Sequence, residues 1–206
     1  MTIHQTGLSP AEYESWSRLV SQGISRSVAG LTDMVGTEVT VTKLDPPRRI
    51  AMKDVPDLIG GAEARTVAVY LRVSGCATGH MLLVFQPETA FQLVDMLLGL
   101  DPGTTTDLGD MERSAIGEMG NIMGSFFLNA LADSTNLPLM PSPPAVMMDM
   151  AGSILDAALV EIFMEAEDLL VVDTVFGTKD RQLNGTFLMM PSEDLVAALV
   201  KREPAS

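Results

Sequence analysis

The stretch GHMLLVFQPETAFQLV, Gly79 to Val94, returns in outline roughly one hundred positions later as GTFLMMPSEDLVAALV, Gly185 to Val200. Each reads as a glycine, an apolar strand, a proline and an amphipathic helix, in that order. A single hairpin leaves an apolar face uncovered, so two such halves are expected to share one antiparallel sheet and close each other's core. The chain therefore reads as an α+β fold, one domain over residues 1–206 built from pseudo-repeats at about 10–100 and 107–200.

Working outward, Ser9-Pro10-Ala11-Glu12 combines a capping serine, a proline at the first helical position and a glutamate three residues after the cap, which predicts a helix from about Pro10 to Met34. Gly36 stops it, and Val39–Thr42 supplies the β-branched residues of a short strand before Pro46-Pro47 interrupts regular structure. A short segment around Val55–Leu58 precedes a hairpin of Thr66–Val73 and His80–Phe85, then a helix over Glu88–Leu98. The second half repeats the order. A long helix runs from Met111 to about Asp133, followed by Pro141-Ser142-Pro143-Pro144 and a helical stretch from Ala151 to about Phe163. A strand over Leu169–Val175, the Gly185–Pro191 run and a helix over Glu193–Val200 complete it.

Charge and composition narrow the function. Thirteen Lys and Arg against 27 Asp and Glu give a net charge of −14, which opposes binding to nucleic acid or anionic lipid, since both require clustered cations. Cys76 is the only cysteine, and His4 and His80 are too far apart in sequence to suggest a metal site. No basic start with an apolar run marks a signal peptide, and no apolar stretch reaches membrane-spanning length, so a reduced cytoplasm is the expected location.

The chemistry is expected in SAIGEMGNIMGSFFLNAL, Ser114 to Leu131. Ile116, Met119, Met123, Phe126, Phe127 and Ala130 can line a core, while Ser114, Glu118, Asn121, Ser125 and Asn129 follow at steps of four, three, four and four, forming one polar ridge. An amphipathic helix must show some face to water, so a ridge alone implies little. Gly117, Gly120 and Gly124 beside it each cost about 1 kcal/mol relative to alanine, and Asn121 is a poor helix former. Bare backbone beside a polar pair suggests close approach by another molecule.

Glu118-x-x-Asn121, with Ser114 one turn earlier, Pro144 after twenty-two intervening residues and the setting IGEMGNIMGS, resembles the signature of the CheC/CheX/FliY family of response-regulator phosphatases, and within it most resembles CheC. The likeness extends along nearly the whole chain, including DMAGSILD from Asp149. It implies a shared antiparallel sheet with long helices packed on one face. It also implies a CheY-like receiver domain as substrate, whose aspartyl phosphate lies beside its own Mg²⁺ and lysine, so that the protein needs no cofactor or metal of its own. Asn121 would orient the attacking water and Glu118 would pair with the receiver's lysine, with Ser114 and Pro144 as supporting positions. Aligning Gly36 with Asn136 sets Arg18 opposite Glu118, Ser21 opposite Asn121 and Leu44 opposite Pro144, so the first half reads as a degenerate copy and one working site is expected. The competing reading is a non-catalytic adaptor that binds a receiver domain or a CheD-type deamidase.

Other residues suggest less. Cys76 falls in a turn, and His80 begins a strand without a catalytic partner spacing. Asp107, Asp110 and Glu112 favour the positive end of the long helix. Fifteen methionines suit a pliant core better than a contact surface.

Overall fold

A computed structural model describes residues 10–159, 168–192 and 195. Helix α1 (Pro10–Val35) leads through β1 (Thr40–Leu44) and β2 (Arg48–Ala51) to a short 3₁₀ turn and α2 (Val55–Leu58). The hairpin β3 (Arg65–Gly75) and β4 (Gly79–Phe85) follows, then α3 (Pro87–Leu97) and the second long helix α4 (Asp110–Thr135). Strands β5 (Leu139–Pro141) and β6 (Ala145–Met150), helix α5 (Ala151–Leu159) and the hairpin β7 (Asp168–Gly177) and β8 (Gln182–Pro191) complete the described chain.

All eight strands join one antiparallel sheet in the order β1-β7-β8-β4-β3-β5, with β2 also on β7 and β6 also on β3. Period-two burial sorts its side chains. Val67, Val69, Leu71, Val73, Met81, Leu83 and Phe85 face the main core, which includes Trp16, Ile24 and Leu31 of α1 and Ile116, Met119, Met123 and Phe127 of α4. Ala68, Leu82, Val84, Val171 and Leu188 face a smaller core with Val55 of α2 and Ile154 and Leu155 of α5. The long helices thus cover one face and the short helices the other.

Helices α1 and α4 run past each other in opposite directions. Phe127 lies on Gly23 and Phe126 on Gly30, where an added Cβ would come within 2.6 Å of either ring. The buried Ser27 hydroxyl is shared between the carbonyls of Gly23 (2.9 Å) and Met123 (2.8 Å), joining the helices where both are apolar. Positions one hundred apart share their environment: Arg18 and Glu118 are exposed, Leu19 and Met119 buried, Ser21 and Asn121 half-buried. Both helices also end on a left-handed residue, Gly36 at φ 66° and Asn136 at φ 55°.

Several expectations need adjustment. Strands β2, β5 and β6 were hidden from the sequence by the prolines beside them and by methionine-rich composition. Phe126, expected in the core, is 42% exposed on the outer side of the helix pair. The expected cap Ser9, the end of α5 and the helix over Glu193–Val200 lie outside the described residues, apart from the buried Leu195.

Candidate functional site

The polar ridge of α4 forms one side of a shallow, open cleft of about 720 Å³. Ser114, Glu118 and Asn121 all line it, and Pro141, Ser142, Pro143 and Pro144 form the opposite wall. Glu118 and Ser114 are exposed and Asn121 is half-buried. The i and i+3 spacing holds the Glu118 and Asn121 Cβ atoms about 5–6 Å apart on one helix face. Among the described residues, none of these three side chains is hydrogen-bonded within the protein, including Ser114 to Glu118. The carboxylate and the amide are therefore available to a ligand.

The wall is a bulge in the edge strand. Pro141 pairs with Val73 and Ala145 with Tyr70, so four steps along this strand answer three along β3. Ser142 bridges the irregularity: its amide donates to the Arg72 carbonyl (2.8 Å) and its hydroxyl accepts from the Arg72 amide (3.0 Å). Pro143 and Pro144, which have no N–H to offer β3, are displaced toward α4. Pro144 packs over the helix, its Cγ 3.9 Å from where a Gly117 Cβ would stand and its Cβ 3.7 Å from that of Gly120.

Two of the three glycines beside the ridge, Gly120 and Gly124, are accounted for by packing within the chain. An added Cβ on Gly120 would collide with Val69 Cγ1, and one on Gly124 would stand 3.0 Å from Leu71 Cδ2. They let α4 settle on β3 and so draw the ridge against the proline wall. At Gly120 and Gly124 this packing role replaces the expectation that they open backbone to another molecule, whereas Gly117 lines the cleft with ordinary contacts only.

Sequence reasoning overlooked Arg113, Ser142 and Val146, which also line the cleft. Arg113 donates from Nε to the Leu108 carbonyl (3.1 Å) and, at a long 3.5 Å, from Nη1 to the Val146 carbonyl. It lies on the flank of α4 nearest the wall, off the ridge periodicity. Asp110 and Glu112 occupy the first turn of α4, whereas Asp107 precedes it.

On α1, Arg18 is exposed and Ser21 half-buried, in positions like those of Glu118 and Asn121, while Leu44 packs against the main core. Cys76 is exposed in the β3–β4 turn. His80 lies on the sheet face away from α4, its Nδ1 2.7 Å from the Tyr70 hydroxyl. Among the described residues no three His, Cys, Asp or Glu side chains gather to hold a metal ion, and no helix is long and apolar enough to cross a membrane.

The family model described as CheC-like matches residues 111–148, the span of the ridge and the proline wall. The CheY-P phosphatase CheC of Bacillus subtilis is 34% identical over 168 residues, covering 80% of this chain and 78% of that protein. Among solved structures, FliY from Thermotoga maritima superposes with a TM-score of 0.77 at 19% identity, covering 96% of this chain and 98% of that one. A chain of the CheX–CheY–BeF3–Mg complex from Borrelia burgdorferi gives 0.55 at 17% identity, covering 84% and 97%. These two show a common fold. With a third of its residues identical across four-fifths of its length to a CheC protein, and the family's pattern falling on its open ridge, the chain belongs to the CheC-like family.

Proposed function

We propose that this protein hydrolyses the aspartyl phosphate of a CheY-like receiver domain, with Asn121 orienting the attacking water and Glu118 pairing with the receiver's active-site lysine. The observation that carries the reading is Asn121 on an open ridge, lining a cleft with Glu118 one turn away. The B. subtilis relative, a CheY-P phosphatase by name, supports the substrate class.

An acyl phosphate is already activated, and phosphoryl transfer through a loose transition state needs positioning more than a strong base. Water attacks phosphorus as the bond to the aspartyl oxygen breaks, giving a free carboxylate, inorganic phosphate and a proton released to solvent. An asparagine suits this task because its amide both donates and accepts while carrying no charge to repel the phosphoryl oxygens. Glu118 fixes docking register through a charge-assisted hydrogen bond. Ser114 extends the ridge by a turn, and Pro144 is a rigid wall. Mg²⁺ belongs to the receiver, and the protein brings no cofactor of its own.

The test follows loss of phosphate from a phosphorylated receiver in Mg²⁺ buffer. Asn121→Ala is expected to lower kcat by about two orders of magnitude while receiver binding stays within about threefold of wild type. Glu118→Ala is expected to weaken binding about tenfold or more, and Arg18→Ala to leave both unchanged. Equal decay with wild type and Asn121→Ala would instead make the ridge a docking surface without turnover, as in an adaptor.

A further inference from the structure

Arg113 is the only basic side chain among the described residues lining the cleft, in a chain of net charge −14. Asp110 and Glu118 line it too, so the cleft would otherwise present only negative charge. The receiver brings more: a pocket that holds Mg²⁺ beside an aspartyl phosphate must supply oxygen ligands, carboxylates among them. Like charges meeting across an interface oppose docking.

The guanidinium is placed by the fold. Nε is held on Leu108, just before α4, and Nη1 leans on Val146, just after the proline wall. Nη2 is left without an acceptor among the described residues. Arg113 precedes Asn121 by eight residues, about 12 Å along the helix axis at 1.5 Å per residue. Its head is held between the Leu108 and Val146 carbonyls, and its backbone stands about two helical turns before Asn121.

We propose that Arg113 is a docking residue, its guanidinium receiving an acidic side chain on the rim of the receiver's phosphorylation pocket. This rests on the receiver-phosphatase reading and adds to it the polarity of the contact: cation at the start of α4, carboxylate and amide further along. The planar guanidinium can keep its carbonyl bonds and still offer an edge to a carboxylate.

The experiment measures KM and kcat for a phosphorylated receiver at several salt concentrations, with thermal unfolding of each variant. Arg113→Gln is expected to raise KM about three- to tenfold with kcat within twofold, and to flatten the fall of kcat/KM with salt. Arg113→Lys, which keeps the charge but cannot reproduce the guanidinium's two carbonyl bonds, is expected to recover most of the KM and the salt dependence. An unchanged KM in Arg113→Gln overturns the proposal, as does Arg113→Lys failing alongside it with kcat lowered, since that marks a structural brace. If wild type itself does not speed phosphate loss, the phosphatase reading fails instead; binding of the receiver, measured by titration, then still reports on Arg113.

Discussion

Asp95, in the last turn of α3, is a fully buried carboxylate outside the cleft. Its oxygens accept from the amides of Gly103 (2.7 Å) and Thr105 (2.9 Å), gathering the connector between the halves around one side chain. Burial disfavours its charge, but hydrogen bonds from the Thr105 hydroxyl and amide and from the Gly103 and Thr104 amides outweigh this and hold the carboxyl below its ordinary range. A carboxyl depressed on folding stabilises the native state above its unfolded pKa, and that contribution is lost as pH falls through the folded value. Asp95→Asn replaces an acceptor oxygen by a donor that opposes a backbone N–H, so a loss of about 2 kcal/mol is expected near neutrality. Urea titrations should give a constant difference between wild type and variant down to roughly pH 4, shrinking at lower pH. A difference that grows on acidification would contradict the assignment. The same carboxylate explains why a connector rich in Gly, Thr and Pro is ordered here. Nothing in the spacing of α3 marks Asp95 as different from a solvated aspartate, so this anchor was invisible before the fold was known.

At the scale of elements, what the sequence disclosed depended on how strongly each segment signalled itself. The long helices and the two hairpins were legible because capping residues, apolar periods and β-branched runs agreed. Strand β2, Arg48-Arg49-Ile50-Ala51, carries two arginines and follows two prolines, and it is a strand because β7 offers it an edge. Strand β6 is half methionine, a residue without strong strand preference, and pairs along β3 from Ala145 to Met150. Their pairing is tertiary, which local propensity cannot report. In the candidate site the ridge was legible from its steps of three and four, whereas its wall depended on a bulge, and Gly120 and Gly124 serve the packing of α4 on β3. Two of the glycines beside the ridge should respond oppositely to alanine. At Gly117 an added Cβ meets Val146 Cγ2 at 3.5 Å, an ordinary contact, so Gly117→Ala should gain up to about 1 kcal/mol from helix propensity. At Gly120 it collides with Val69, which is fully buried in the sheet; overpacking of about 1–3 kcal/mol should exceed the propensity gain. Thermal unfolding should therefore rise for the first and fall for the second. Gly120→Ala should also slow the proposed reaction, because α4 must lift from β3 and carry Asn121 with it.

For the whole molecule, the pairing order decides what can stand alone. Read from either edge, the sheet presents a short strand pair, then a hairpin, then the hairpin of the other half. The short strands do not pair with their own half: β1 and β2, which follow α1, lie on β7, and β5 and β6, which follow α4, lie on β3. The halves are thus interleaved at both edges, as well as joined at the centre through β4 and β8 and across the face through α1 and α4. A chain divided between Thr106 and Asp107 should give two fragments that each lack a cooperative urea transition, since each would expose hairpin edges and a helix face built for the other. Mixed in equal amounts, they should recover one. The cleft shares this dependence, because Glu118 and Asn121 ride on a helix seated on Val69 and Leu71, and the proline wall hangs from Arg72, all three in β3 of the first half. The second fragment alone, although it carries Ser114, Glu118, Asn121 and Pro144, should show no receiver phosphatase activity. Activity and cooperativity should return together on mixing, and activity in the isolated second fragment would mean that α4 positions Asn121 without β3 beneath it.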